Sequence, residues 1–234
     1  MVTLAELLAR PRVLNLAHRT DRWLETQSEF SGAGLPEPER VEAVYGLSEA
    51  LPSQVARFER GVATEKTLLA ACGIAMSHRR AWRQALDAGD QFVAVFEDDV
   101  KFHPLFVEAA EKAIFELPDG WRLLSFGGVH KRQPRRFSDR LVRPSLICCS
   151  HSYVLTRTAA ENALDITAEV EPDGTGPCED WDRSWNSLSP DFYVTWPHLA
   201  VQRDSFSDVA RKRAVRSSQQ FAFLSPEEWE GWSP

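Results

Sequence analysis

An α/β fold built on a sheet buried on both faces is what this sequence predicts, and three observations carry that expectation. Short apolar runs alternate along the chain with stretches of helical periodicity, the pattern of α/β proteins. The run Phe92-Val93-Ala94-Val95 has no polar alternation, which suits a strand of a parallel sheet covered from both sides. The length of 234 residues is enough for one domain with a sizeable core and would make two domains small. A single domain over residues 1–234 is therefore expected.

Composition narrows the partners. The chain is 43% hydrophobic and 26% charged, ordinary values for a packed globular protein, and its net charge of -7 disfavours general attraction to nucleic acid or an anionic membrane. The cysteines, Cys72, Cys148, Cys149 and Cys178, form no CxxC pair, so a structural zinc site is not expected. Adjacent Cys148 and Cys149 read as buried thiols on opposite faces of a strand. There is no apolar stretch of signal-peptide or membrane-spanning length, and a cytoplasmic, reducing compartment is the expectation.

Taken in order, Arg12 to Leu16 reads as a first strand, and Thr20-Asp21 supplies N-cap chemistry for a helix over about Arg22 to Phe30. Asn15 stands near the strand end with Arg19 and Arg22 just beyond it, an arrangement that suits a phosphate or nucleotide as well as a charged surface. Val41 to Tyr45 reads as a second strand, and Pro52 to Val62 as a short helix and a loop. The strongest helical pattern runs from about Thr67 to Ala88, with Ser77 on it and His78 one turn before Trp82. Gly89 ends that helix directly before the run at Phe92. A helix over Pro104 to Leu117 and a strand over Trp121 to Phe126 follow. The basic stretch holding Lys131, Arg132, Arg135, Arg136, Arg140 and Arg143 reads as a loop, either solvated or able to attract a diphosphate or anionic acceptor. Leu146 to Thr156 reads as one strand or two short ones, Thr158 to Asp165 as a helix, and Phe192 to Trp196 and Leu199 to Gln202 as short strands. Asp204 to Asp208 reads as a polar loop.

Two stretches carry chemistry. Glu97, Asp98 and Asp99 end the apolar run, and in extended geometry Glu97 and Asp99 project to one side, Asp98 to the other. Paired carboxylates at the C-terminal edge of an α/β sheet suit a hard divalent cation, while the same letters suit an acidic turn that caps a helix near Pro104. Further on, Asp180-Trp181-Asp182 and Trp185 place acids beside indoles. That combination serves a sugar site, the rings stacking on sugar faces and a carboxylate acting as base, and it equally describes an amphipathic helix with its tryptophans in the core.

Several of these pieces together resemble glycosyltransferase family 25, the lipooligosaccharide and collagen galactosyltransferase-like enzymes. Leu14-Asn15-Leu16 with Arg19, Asp21 and Arg22 resembles the opening motif, Gly73 to Trp82 the Ser-His helix, and Phe96 to Val100 the acidic metal motif. Ser152 to Leu164, Asp180-Trp181 and Ser207-Asp208-Val209 resemble later elements in the same order. The resemblance covers about 12–209 and leaves a tail over 210–234. It implies a GT-A type fold with a Rossmann-like nucleotide-binding half, a mostly parallel central sheet flanked by helices, and inverting transfer of a hexose, galactose or glucose, from a UDP-sugar to a saccharide or other hydroxyl acceptor. A Mn2+ or Mg2+ ion on Glu97 and Asp99 is implied. Asn15, Arg19, Arg22, Ser77, His78 and Asp98 are expected on the donor side, Asp180 or Asp182 as base, and Trp181 and Trp185 against the sugar. A role in lipopolysaccharide biosynthesis goes with the family. A metal-dependent phosphohydrolase and a nucleotide-sugar-binding protein without turnover are the rival classes.

Overall fold

The computed structural model describes residues 2–46, 65–167, 191–207 and 212–214, the side chains of 65–72, 205–207 and 212–214 excepted. Elements along the chain are α1 (Leu4–Leu7), β1 (Arg12–Asn15), α2 (Thr20–Gly32), β2 (Glu39–Glu42), α3 (Glu65–Asp87), β3 (Phe92–Glu97), β4 (Val100–Phe102) and α4 (Phe106–Phe115). There follow β5 (Leu123–Ser125), β6 (Val129–Arg132), β7 (Arg135–Arg136), β8 (Leu141–Arg143), β9 (Leu146–Cys148), β10 (Ser152–Thr156) and α5 (Arg157–Ile166). The last are β11 (Phe192–Thr195), β12 (Ala200–Gln202), β13 (Ser205–Ser207) and β14 (Lys212–Ala214).

The main sheet has eight strands in the order β2-β1-β3-β10-β5-β11-β8-β7. β2, β1, β3, β5, β11 and β7 run one way; β10 and β8 run the other. The mostly parallel sheet expected from the family resemblance is thus what the chain forms. β3 lies inside it, and its alternate residues feed two cores. Val93 and Val95 join Trp82 and Ala85 of α3 and Ala159, Ala160 and Ala163 of α5 on one face. Ala94 and Phe96 join Phe30 of α2, Phe106 and Ala110 of α4 and Leu4 and Leu7 of α1 on the other. That is why the run shows no polar alternation: both faces are dry.

Several boundaries differ from the sequence expectation for local physical reasons. Thr20 is the first helical residue of α2 and not its cap, since Arg19 holds the cap position without a side-chain hydrogen bond. The helix after Pro104 begins at Phe106 with Leu105 at its cap, so neither Asp98 nor Asp99 caps it. The basic stretch is not a loop: β6 pairs with β9 and β7 with β8, which satisfies the backbone and leaves Lys131, Arg132, Arg135 and Arg136 exposed. The polar stretch expected as a loop contains β13, paired with β14. Cys148 ends β9, while Cys149 lies outside any strand at φ 69, and both are half-buried. Pro52 to Val62, expected as a helix and loop, lies outside the described residues.

Two devices bring the end of the described chain back to the sheet edge. β12 pairs antiparallel with β4, placing Gln202 across from Val100, the residue after the acids. Gly127, just past β5, lets the backbone reach Ala200 closely: a Cβ there would stand 1.9 Å from the Ala200 carbonyl oxygen. Only a residue without a side chain fits that contact.

Candidate active site at the C-terminal sheet edge

The acidic residues sit where β3 gives way to a two-residue turn before β4. Asp98 and Asp99 are buried, and Glu97 keeps a side-chain exposure of 26%. Arg22, reaching up from the first turn of α2, spans the turn from below: its two terminal nitrogens lie 2.8 Å from Asp98 Oδ1 and 2.8 Å from Asp99 Oδ2. The other oxygen of Asp98 accepts from Asn15 Nδ2 at 2.6 Å, and Arg40 in turn donates to Asn15 Oδ1 at 2.9 Å. Asp98 is therefore satisfied at both oxygens by the protein interior. Burial pushes its carboxyl up to about 6; the nearby Asp99 and Glu97 charges act in the same direction, while Arg22 and Asn15 oppose them.

Backbone contacts fix the turn as firmly as side chains do. Thr26 Oγ1 of α2 donates to the Asp98 carbonyl at 2.8 Å. Arg203, next after β12, donates its backbone N–H to the Asp99 carbonyl and a guanidinium nitrogen to the Asp98 carbonyl, each at 2.6 Å. Its guanidinium also pairs with Glu25 at 3.2 Å. Beside it, Gln202 Nε2 donates to Glu97 Oε2 at 3.2 Å and to Asp99 Oδ1 at 3.3 Å. One polar atom thus stands within hydrogen-bond reach of both carboxylates, although Asp98 and Asp99 lie in a turn and not in the extended strand that the sequence suggested.

Glu97 faces a buried relay on its other side. Trp82 Nε1 donates to the Tyr153 hydroxyl at 2.8 Å, and that hydroxyl lies 2.8 Å from His78 Nδ1. The indole can only donate, so the Tyr153 oxygen accepts from Trp82, and the Tyr153 proton is available to Nδ1 of a His78 that carries its own proton on Nε2. Nε2 points to Ser150 Oγ at 3.4 Å and to Glu97 Oε1 at 3.8 Å. Burial raises the Tyr153 phenol well above its ordinary range, which keeps it a neutral donor.

Of the expected donor-side residues, the structure gathers Asn15, Arg22, His78 and Asp98 around the acids, while Arg19 pairs with Asp21 at 2.9 Å at the rim. That guanidinium holds the Asp21 carboxyl down at about 2. Ser77 turns inward: its hydroxyl donates to the Gly73 carbonyl and accepts from the Val44 backbone, anchoring the chain after β2 to α3. Asp180, Trp181, Asp182 and Trp185 lie outside the described residues. Thr26, Tyr153, Ser150, Gln202 and Arg203 were not singled out from the sequence. His130, His151 and His198, all near the same edge, were also missed. Burial holds His130 down at about 4, and His198 well below its ordinary range.

Among the described residues no cluster of three or more His, Cys, Asp or Glu converges as metal ligands. The donor set present nonetheless fits a hard cation such as Mn2+ or Mg2+. Glu97 and Asp99 turn carboxylate oxygens toward one position, and the third side chain there, Gln202, carries an amide oxygen; hard divalent ions take such oxygen donors.

Fold and site define an α/β protein with an acidic, arginine-braced turn at the C-terminal edge of its sheet. The chain belongs to glycosyltransferase family 25, described as an LPS biosynthesis protein family, whose model matches residues 11–138. It is 36% identical over 190 residues to the lacto-N-neotetraose biosynthesis glycosyltransferase LgtB of Neisseria meningitidis serogroup A, an alignment covering 72% of this chain and 64% of that protein. With the corresponding LgtE of Neisseria gonorrhoeae it shares 29% over 182 residues, covering 69% of this chain and 61% of the relative. The chain thus spans under two thirds of the length of these curated relatives. Among solved structures, it is similar to a glycosyltransferase involved in glycosylation of the major capsid of PBCV-1, at TM-score 0.49 and 12% identity, over 92% of this chain and 98% of that one. No helix among the described residues is long and apolar enough to cross a membrane.

Proposed function

We propose that this chain is a metal-dependent, inverting glycosyltransferase that moves a hexose, galactose or glucose, from a UDP-sugar to a saccharide hydroxyl. The observation that carries the reading is the pair of carboxylate oxygens of Glu97 and Asp99 turned to one position at the sheet edge, in a chain of this family. The Neisseria relatives are named for lacto-N-neotetraose biosynthesis, which supports an oligosaccharide acceptor and a part in lipopolysaccharide assembly.

In this reading Arg22, Asn15, Thr26 and Arg203 hold the acidic turn rigid, so that Glu97 and Asp99 need no rearrangement when the donor arrives. Glu97 and Asp99 would hold a Mn2+ or Mg2+ ion, which would supply positive charge to the diphosphate that leaves as UDP. His78, its Nδ1 held by Tyr153, faces Glu97 through Nε2. A carboxylate takes the proton of the acceptor hydroxyl as that oxygen attacks the anomeric carbon from the face opposite UDP, which inverts the configuration. Asp180 is the assigned base, with Asp182 beside it. Asp180→Asn should keep UDP-sugar binding by calorimetry and lose transfer by roughly 10²-fold or more. Asp182→Asn should keep most of both, and the reverse result moves the base two residues.

The deciding experiment incubates the protein with a panel of UDP-sugars and Mn2+ and measures free UDP. Sugar-dependent UDP release supports the transferase. Phosphate release from simple phosphomonoesters would instead point to a hydrolase, and binding without turnover to a nucleotide-sugar receptor.

A further inference from the structure

We propose that Gln202 is the third metal-ligating side chain of this site, its amide oxygen joining Glu97 and Asp99 around the cation. The inference rests on the metal-dependent reading above and adds a residue to it. An amide presents a nitrogen and an oxygen that exchange places by a half-turn about the last side-chain bond. With no cation present the NH2 end is the favoured one, since it can donate to two carboxylates at once, at 3.2 Å and 3.3 Å. A hard cation sits at about 2.0–2.2 Å from its oxygen ligands and repels an N–H pointing at it, so loading the site turns the carbonyl inward. One side chain serves both states, bridging the acids when the site is empty and ligating when it is full.

Position and charge support that role independently of the amide contacts. The backbone places Gln202 there: β12 is laddered to β4 with Gln202 across from Val100, and the adjoining Arg203 is fastened to the Asp98 and Asp99 carbonyls. Glu97, Asp98, Asp99 and Glu25 set four carboxylates against the guanidiniums of Arg22 and Arg203, leaving two negative charges that one divalent ion neutralises. A neutral third ligand keeps that balance, whereas a third carboxylate would leave excess negative charge facing an incoming diphosphate.

The test is a Mn2+ titration of the purified chain, following the free-ion signal by electron paramagnetic resonance, with urea midpoints measured in parallel. Wild type should bind Mn2+. Gln202→Ala should weaken binding about tenfold or more at a little-changed urea midpoint, Gln202→Glu should retain or tighten it, and Gln202→Lys, which places an ammonium between the acids, should abolish it. Wild-type affinity in Gln202→Ala overturns the ligand assignment while leaving the cation site standing on Glu97 and Asp99. Absence of Mn2+ binding by wild type, with or without UDP, overturns the metal-dependent reading and this inference with it.

Discussion

Arg22→Met isolates the brace under the acidic turn. The guanidinium is 11% exposed, and its partners Asp98 and Asp99 are 8% and 10% exposed, so the substitution leaves two desolvated carboxylates without their shared cation. Removing one partner of a buried pair costs about 3–5 kcal/mol, mostly the penalty on the charge left behind. Here Asp98 keeps its bond from Asn15 and Asp99 its contact with Gln202, which argues for the lower end, about 3 kcal/mol. With a urea slope of about 2–3 kcal/mol per molar, the unfolding midpoint should fall by roughly 1–1.5 M. Adding Asp98→Asn to Arg22→Met should recover part of the loss, because one uncompensated charge is removed; this coupling separates electrostatics from lost packing. An Arg22→Met midpoint within about 0.2 M of wild type, or a double variant no better than the single, would refute the account.

Other expectations follow from the same structure. Gly127→Ala drives a Cβ into the Ala200 carbonyl and should destabilise the chain by about 1–3 kcal/mol or more, seen as a lowered thermal midpoint, with wild-type stability the contrary result. His130 is held neutral by burial, at about 4 against an ordinary 6.5, so the unfolded chain takes up the proton first as pH drops. Its contribution to stability is present above 6.5 and lost on the way down to about 4, roughly 3 kcal/mol in all, and His198 adds in the same direction. Urea titrations at stepped pH should show that slope, and His130→Gln should flatten it. Reversing the exposed Arg135 and Arg136 of β7 to Glu should raise the KM of an anionic acceptor at low salt, the difference shrinking as salt is added; unchanged low-salt kinetics would make this ribbon a solvated edge.

What the sequence disclosed follows the range of the interactions involved. β3 and α3 were legible because burial on both faces and a helical stripe are written into consecutive residues. Asn15 and Arg22 were legible from their places at and beyond the end of the first strand, and the acids from the end of the apolar run, although a turn at Asp98 and Asp99 replaces the extended alternation expected there. Gln202 and Arg203 were not legible, since they reach the acids only through the pairing of β12 with β4, which no local pattern encodes. The same holds for Tyr153, brought to His78 by β10 lying beside β3. The basic ribbon was misread because a run of Arg and Lys looks solvated whether or not its backbone is laddered.

The ladder between β12 and β4 also sets a timetable. Gln202 meets carboxylates 105 and 103 positions upstream, so the acidic turn is made long before its last partners leave the ribosome. At synthesis rates of about 5–20 residues per second that interval is roughly 5–20 s. During it, β1, β3 and α2 can dock and Arg22 can find Asp98 and Asp99, while the place of Gln202 stands open to water. A nascent chain stopped before residue 200 should therefore hold much of its sheet core and lack the turn's outer clasp, which makes closure by β12 a late, long-range step in maturation.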